Sequence, residues 1–501
     1  MFFFSSCTDF NDYTMESADT VANVSVDSIL CDKIEEQLSS GGEAHSKPLI
    51  QGIQTFMESA DDTTDGNAIT EESQTTQPNP ENEKTEKKKN EYIQVVNRYL
   101  INQVDSAKIM LEAVKDGRNV EEFIQWLCDD LDNASLKLLA DSLLDGSFSE
   151  RKLYDITGES IYVLVDRFTG GKSDGTIIHK TASEDDVIHL TFTGDICLEE
   201  DGFVLDYYDT TKELSDWIGK EIINEMNRAD ICMVNHEFCV SNQGEPLKGK
   251  YYTFRANPQR LEILNEMGVD IVSLANNHVY DYGNEAFIDT LKYIKEYNMA
   301  FVGGGRNYEE AKKPVYYVIN GIKIGFVAAS NAEKNRYTPE AKSDASGIIL
   351  MYDTENMKNI ISSCAKQCDI VIAYLHWGTE DSNLYEQYQT DIAQAFMDCG
   401  ADMIVGGHPH VLQGIGYVKD KPVIYSMGDF WFNGTTTQTA ILNVDVTIDG
   451  IQKLQWLPCL QKKYHTNMIL DETEREQSLS YMRELSPGVT INSSGIITNE
   501  K

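Results

Sequence analysis

An α/β domain, preceded by a small helical module and a disordered acidic N-terminal region, is the organisation predicted by this 501-residue sequence. Three observations carry it. From about residue 186, short apolar β-rich runs alternate with helical stretches, the pattern of parallel pairing in sheets layered with helices. Over 91–165 the apolar residues keep helical spacing. Over 1–90 there are 18 acidic against 6 basic residues, and "DDTTDGNAITEESQTTQPNPENEKTEKKKN" has almost no large apolar side chain.

The elements follow in chain order. "MFFFSSCTDF" is too short for a signal peptide and lacks its basic start. It resembles the tail of a bacterial lipoprotein signal with Cys7 as the lipidated residue, the alternative being an apolar terminus of no consequence. With a lipid on Cys7 the protein belongs at the cell surface; without one it is cytoplasmic. The stretch 1–90 buries too little to order itself and reads as a tether. "EYIQVVNRYLINQVDSAKIMLEAV" and "VEEFIQWLCDDLDNASLKLLADSLL" form the helical module. In 186–465, "VIHLTFTGD", "DICMVNHE", "VDIVSLANNH", "DIVIAYLHWG", "ADMIVGGHPH" and "PVIYSMGDF" read as strands between helices. "VYYVINGIKIGFVAAS" is a hairpin about Asn-Gly, and "TAILNVDVTIDGIQKLQWLP" a hairpin about Asp-Gly. Residues 466–501 read as a weakly ordered tail.

Composition excludes some functions. The net charge is −39, from 42 basic and 81 acidic residues, whereas a nucleic-acid partner requires a basic surface. Ten cysteines carry no CxxC pair or framework spacing, so a disulfide scaffold is not expected. No apolar run has the roughly 18 residues of a membrane span, which leaves the N-terminal lipid as the one route to a membrane.

The chemistry lies where the strands end. In open α/β sheets ligands bind beyond the carboxyl ends of strands, and here nearly every apolar run ends in a metal-capable group. These are Asp195; Asn235, His236 and Glu237; Asn276, Asn277 and His278, followed by Asp281; His376; His408 and His410; and Asp429. Five of the nine histidines sit at these ends. Imidazole with carboxylate suits Zn, Mn or Fe, and a two-ion site can activate water and clamp a phosphoryl or acyl oxygen. Strand alternation points His236 to the other face. Asp281 has an alternative as a turn residue and Asp429 as a cap. Gly406 and Gly407 are read as the backbone freedom that turns His408 and His410 inward.

The motifs "TFTGDI", "VNHE", "YTFRANP", "VSLANNHVYDYG", "LHWGTE", "GGHPHVLQG" and "VIYSMGDF", in that order over 188–432, resemble the bacterial capsule-synthesis CapA family of poly-γ-glutamate synthesis (PgsA-like) proteins. That family is in turn similar to the calcineurin-like metallophosphatases. The resemblance implies a metallophosphatase-like layered sandwich of two mixed sheets flanked by helices. It also implies one or two divalent ions (Mn, Fe or Zn) on Asp195, Glu237, Asn277, His376, His408 and His410. Glu237 takes the bridging place, His278 the place of the proton donor to the leaving group, and Asp281 orients it. Arg255 and Asn276 become substrate contacts. Two departures stand out: Cys197 replaces the histidine of the usual Asp-x-His, leaving room for a mononuclear or thiolate-assisted site, and Gly407 and Asp429 replace histidine and asparagine.

The function so implied is capsule or poly-γ-glutamate synthesis or export with a phosphoesterase-like hydrolase site. The polymer and other capsule-synthesis proteins are its partners. Two alternatives stand beside it: a non-catalytic surface scaffold of a capsule complex, and a cytoplasmic metallophosphodiesterase unrelated to capsule.

Overall fold

A computed structural model describes residues 80–500, apart from 185, 334, 335 and 435. The acidic tether as far as residue 79, and Cys7 with it, lie outside the described residues. Helix α1 (Pro80–Tyr99) begins inside the stretch read as tether. Proline suits a first helical position, and the straight-chain Glu and Lys residues that follow are good helix formers, so a polar sequence without a core of its own still winds. The helix then buries Val96 near its far end, and Leu100 is buried in the 3-10 turn that follows it.

Five helices complete the module: α2 (Asp105–Val114), α3 (Val120–Asp130), α4 (Asn133–Asp145), α5 (Glu150–Thr157) and α6 (Ile161–Thr169). Local chemistry sets their ends. Asn119 and Glu122 form a capping box, Asp132, Ser149 and Ser160 cap the next three helices, and Gly146, Gly158 and Gly170 close them in the left-handed conformation. Leu100, Met110, Phe123, Leu127, Leu139 and Leu164 form the module's core. One buried ion pair fastens the module to the sheets: Lys323 Nζ lies 2.5 Å from Asp166 Oδ2 on α6 and 2.6 Å from Ser173 Oγ. Ser160 Oγ also donates to Asp369 Oδ2 at 2.7 Å.

The strands are β1 (Thr176–His179), β2 (Ile188–Ile196), β3 (Ile231–His236), β4 (Ile271–Ser273), β5 (Ala300–Val302), β6 (Val315–Ile319), β7 (Ile322–Ser330), β8 (Ile370–His376), β9 (Met403–Gly407), β10 (Ile415–Val418), β11 (Lys421–Ile424), β12 (Asp429–Trp431), β13 (Thr436–Thr447), β14 (Gly450–Lys462), β15 (His465–Met468), β16 (Val489–Ile491) and β17 (Ile496–Asn499). Among the described residues they form two large mixed sheets. A seven-stranded sheet has the order β1-β6-β7-β8-β9-β11-β10. A ten-stranded sheet has the order β16-β17-β14-β13-β2-β3-β4-β5, with β12 beside β2 and β15 beside β14. Phe192, Met233 and Ile271 of the ten-stranded sheet meet Phe326, Ile372 and Val405 of the other in one apolar layer. The outer faces are covered by helices, through Met226, Phe287 and Leu291 on one side and Ile361, Phe396 and Met397 on the other. Strands covered on both faces read as continuous apolar runs, which is why β2, β3, β8 and β9 are buried along their whole length. The layered α/β sandwich expected from the sequence is the architecture observed.

Both expected hairpins form antiparallel pairs, β6 with β7 across Asn320-Gly321 and β13 with β14 across Ile448-Asp449, where Gly450 opens β14 opposite Thr447. Asn320 and Gly321 both have positive φ (50° and 68°), as a primed turn requires.

The expected weakly ordered tail is a correction. After residue 466 the chain forms a helix, Glu472–Leu485, capped by Asp471, and then β16 and β17, the latter pairing with β14. Leu479, Met482, Val489, Ile491 and Ile497 enter the layer between the sheets. These apolar residues are few, and their order comes from burial against a sheet edge distant in sequence.

Candidate metal centre

Strands β2, β3 and β4 run parallel in one sheet, and β8 and β9 run parallel in the other. Parallel neighbours end side by side, so their carboxyl-terminal polar residues gather without any element being distorted. Asp195 pairs in register with Asn235 on β3 and with Asp429 on β12, and His376 with Gly407. Glu237 follows β3 directly, its N–H donating to Ile196 O at 2.9 Å.

Asn235 is the hub, and the strand-end pattern alone did not single it out. Its Nδ2 lies 2.8 Å from Asp195 Oδ1, 3.0 Å from Glu237 Oε2 and 3.3 Å from His376 Nδ1. Asp195 Oδ2 accepts the His408 N–H at 3.0 Å. His376 Nε2 stands 2.8 Å from Asn277 Oδ1 and 3.5 Å from Glu237 Oε1. His410 Nδ1 lies 2.8 Å from Asp429 Oδ1.

The donor atoms therefore converge. One atom from each of Glu237, His408 and His410 lies within 4.8 Å of the others, and the same holds for Asp195, His410 and Asp429, and for Asp195, Glu237 and His376. Two buried atoms in this cluster, Glu237 Oε1 and His408 Nδ1, have no hydrogen-bond partner. A buried polar atom left so costs about 1–3 kcal/mol, and a carboxylate oxygen and an imidazole nitrogen are both donors to Zn, Mn or Fe. The residues fit a divalent ion.

Electrostatics agree. Burial, with Glu237 beside it, pushes the Asp195 carboxyl up to about 7, and burial pushes Glu237 up to about 7 as well. Without a cation the site resists holding its own negative charge. Burial draws His376 down to about 4 and, with the neighbouring imidazoles, draws His408 well below its ordinary range; both keep neutral rings, and His408 Nδ1 has no partner. His410 differs. Burial opposes its charge, yet Asp429, 2.8 Å away, holds it well above the usual imidazole range.

The backbone at "GGHPH" corrects the reading of the two glycines. Neither Gly406 nor Gly407 has positive φ; His408 (99°) and His410 (61°) do. A non-glycine residue there stores about 1–3 kcal/mol and persists only where its surroundings hold it. The glycines are needed for room. A Cβ on Gly407 would stand 2.4 Å from Asp195 Oδ1, and one on Gly406 2.1 Å from Tyr425 O.

His278 stands beside this cluster, its Nδ1 2.7 Å from Asp281 Oδ2 and its ring on Phe254 with centroids 4.2 Å apart. Asp281 Oδ2 also accepts the Phe254 N–H at 2.7 Å. Lys250, absent from the sequence reading, completes the group. Its ammonium is buried 2.7 Å from Asp281 Oδ1 and 3.0 Å from Glu333 Oε2, and it donates to Asn277 O. Nothing local marks Lys250, because its partners come from two other loops.

Two expected substrate contacts do not reach the site as such. Asn276 is fully buried and spends its amide within the protein: Nδ2 donates to Asn235 Oδ1 and His236 O, and Oδ1 accepts from the N–H groups of His278 and Val279. With these bonds made it is a bracket that holds the loop. Arg255 donates to Gln243 O and Gly244 O, both at 3.0 Å, and lies over the Tyr282 ring, which pins it to the neighbouring loop. Cys197 is a further correction to the thiolate alternative. It sits in the apolar cluster behind the site, and burial pushes its thiol well above the ordinary range. His236 stacks on Phe238 at 3.8 Å, and burial lowers it to about 3.

The cluster opens on a cavity of about 420 Å³ whose walls include Glu199, Phe203, Phe254, His278, His410 and Asp429. No lysine or arginine is among the described residues lining it.

Comparison with known proteins bears on this site. The family model for the bacterial capsule synthesis protein PGA_cap matches residues 189–434, the span that carries every residue of the cluster. A PGA biosynthesis protein CapA of Bacillus subtilis (strain 168) is 31% identical over 56% of this chain and 72% of its own length. A capsule biosynthesis protein CapA of Bacillus anthracis is 29% identical over 51% of this chain and 62% of its own. A probable polyglutamine synthesis accessory protein of Mycobacterium tuberculosis is 26% identical over 41% of this chain and 56% of its own. Among solved structures, a 5'-nucleotidase from Candida albicans aligns with 56% of this chain and 53% of its own at 12% identity and a TM-score of 0.30, a likeness that carries no weight for function.

Proposed function

The chain belongs to the bacterial capsule synthesis protein family, and from that premise we propose that it serves capsule or poly-γ-glutamate synthesis or export at the cell surface, its strand-end cluster working as a divalent-metal hydrolase site on a phosphoester or related bond. The observation that carries the hydrolase reading is the pair of buried, unpartnered donors Glu237 Oε1 and His408 Nδ1 inside three converging donor sets. Asp195, Glu237, Asn277, His376, His408 and His410 would hold one or two ions of Mn, Fe or Zn. Such an ion, when bound, activates water and stabilises charge on a phosphoryl or acyl oxygen.

The chain's own groups do the rest. Glu237 belongs to two of the three donor sets, which suits a bridging carboxylate. Asn235 fixes the carboxylates of Asp195 and Glu237 relative to each other. His278 delivers a proton to the leaving group, because Asp281 engages Nδ1 and leaves Nε2 as the free ring nitrogen. Lys250 pairs with Oδ1 of Asp281 and fixes the position of the carboxylate that orients this ring. The capsule polymer and other capsule-synthesis proteins are the partners this reading calls for. No helix among the described residues is long and apolar enough to cross a membrane, and attachment rests on Cys7, outside those residues.

One observation favours the scaffold alternative: the cavity is walled by carboxylates with no lysine or arginine among its described lining residues, a poor grip for a polyanionic chain. The test is hydrolysis of a phosphoester panel by protein loaded with Mn, Fe or Zn. Turnover is expected, reduced roughly 10²–10⁴-fold in His278→Ala at unchanged metal content. Retained capsule function in that variant, with no ester hydrolysed, supports the scaffold.

A further inference from the structure

Resting on the metal-centre reading, we propose that Asp429 is a ligand, completing with Asp195 and His410 a second cation position distinct from the one built by Glu237, Asn277, His376 and His408. Asp429 opens β12, which runs parallel to β2 and pairs Asp429 in register with Asp195. Both side chains therefore leave their strands at the same level, and both are buried, Asp195 completely and Asp429 at 6% exposure. Their carboxylate oxygens and a His410 ring nitrogen lie within 4.8 Å of one another. Two carboxylates buried side by side repel, and a cation between them removes that cost.

The alternative candidate for this position is Cys197, two residues beyond Asp195. It is excluded by where it points. Cys197 lies in the apolar cluster on the far side of the sheet, and it belongs to none of the donor sets among the described residues. His410 supplies a further sign. It holds a left-handed backbone, φ 61°, unfavourable for a side chain of its size, and that conformation brings its Nδ1 to 2.8 Å from Asp429 Oδ1. Asp429, His410 and His278 all face the same cavity, so an ion at this position is the one open to substrate, while the other lies beneath it among fully buried groups.

A competing role for Asp429 is orientation of His410 through Nδ1, as carboxylates commonly do for metal-bound histidines. The two roles separate by stoichiometry. Equilibrium dialysis of the full chain against Mn²⁺, with metal counted by mass spectrometry, is expected to give two ions per chain in the wild type. It should give one in Asp429→Ala and two in Cys197→Ser. Asp429→Asn, nearly isosteric, keeps an acceptor for the His410 ring and serves where the alanine variant does not fold; it should weaken the second ion alone by tenfold or more. Two ions in Asp429→Ala, undiminished affinity in Asp429→Asn, or loss of an ion in Cys197→Ser each overturns the proposal, as does a single ion in the saturated wild type, while leaving the metal-centre reading intact. No bound Mn²⁺ in the wild type overturns both.

Discussion

Replacing Glu237 by Gln should make the metal-free protein more stable at alkaline pH, an effect opposite to the usual loss from a buried substitution. Glu237 is fully buried, and burial raises its carboxyl from 4.5 to about 7. The folded-state pKa lies above the unfolded one, so between about pH 4.5 and 7 the folded chain holds a proton that the unfolded chain has released. Wild-type stability contributed by this group is therefore intact at low pH and lost as pH rises through the folded value. At about 1.4 kcal/mol per unit, and with the group half-titrated at pH 7, the loss between pH 5 and pH 7 is ~2 kcal/mol. Gln has no such slope. It also suits the site, because its carbonyl can take the Asn235 amide now bound to Oε2 at 3.0 Å, and its NH₂ occupies the place of the unpartnered Oε1. Urea unfolding with a chelator present, at pH 5, 6, 7 and 8, gives the difference between variant and wild type; taking that difference cancels the titrating groups that do not sense Glu237, while Asp195, which Glu237 helps to raise, shifts with the substitution. The difference should move in favour of Gln by about 2.5 kcal/mol across the series, and divalent metal should reverse it by stabilising the wild type alone. A gap that stays constant with pH in chelator refutes the argument that Glu237 is held against its charge.

Other consequences follow from particular contacts. Lys323→Met strands Asp166 as a buried, unpaired carboxylate, at a cost of about 3–5 kcal/mol; proteolysis should then cut within 80–170 first, and Asp166→Leu in the same chain should restore resistance. Gly407→Ala puts a methyl 2.4 Å from Asp195 Oδ1. It should lower metal affinity and cost about 1–3 kcal/mol in urea unfolding, whereas unaltered metal binding would show that Asp195 has room to move. Lys250→Met removes the cation 2.7 Å from Asp281. The pH profile of ester hydrolysis should shift while metal content stays unchanged, and a profile superimposable on the wild type removes Lys250 from the positioning role.

Much of this arrangement was legible because it rests on local or periodic signals. Alternation of apolar runs marked the strands, and parallel strands must present their ends together, so the polar strand ends could be grouped before any distance was known, while the resemblance to the capsule-synthesis family narrowed them to Asp195, Glu237, Asn277, His376, His408 and His410. The losses share one cause, dependence on contacts between segments far apart. Leu479 and Met482 order the C-terminal segment only because an intersheet layer receives them. Lys250 acquires its role from Asp281 and Glu333, and Asp429 from its register with Asp195. Asn276 was expected as a substrate contact, yet four hydrogen bonds consume it. The glycines of "GGHPH" illustrate a subtler error: a glycine before a turn suggests conformational freedom, but the unusual φ values belong to the histidines, and the glycines answer to the bulk of Asp195 and Tyr425.

The most direct test of the account is the metal content of the full-length protein after gel filtration, measured by mass spectrometry for Mn, Fe and Zn. At least one ion should be retained per wild-type chain, and the His376→Ala/His408→Ala variant, with circular dichroism like the wild type, should retain at least one ion fewer. A wild type that holds no divalent ion, or a variant that holds as much, contradicts the claim that these strand ends form a metal centre.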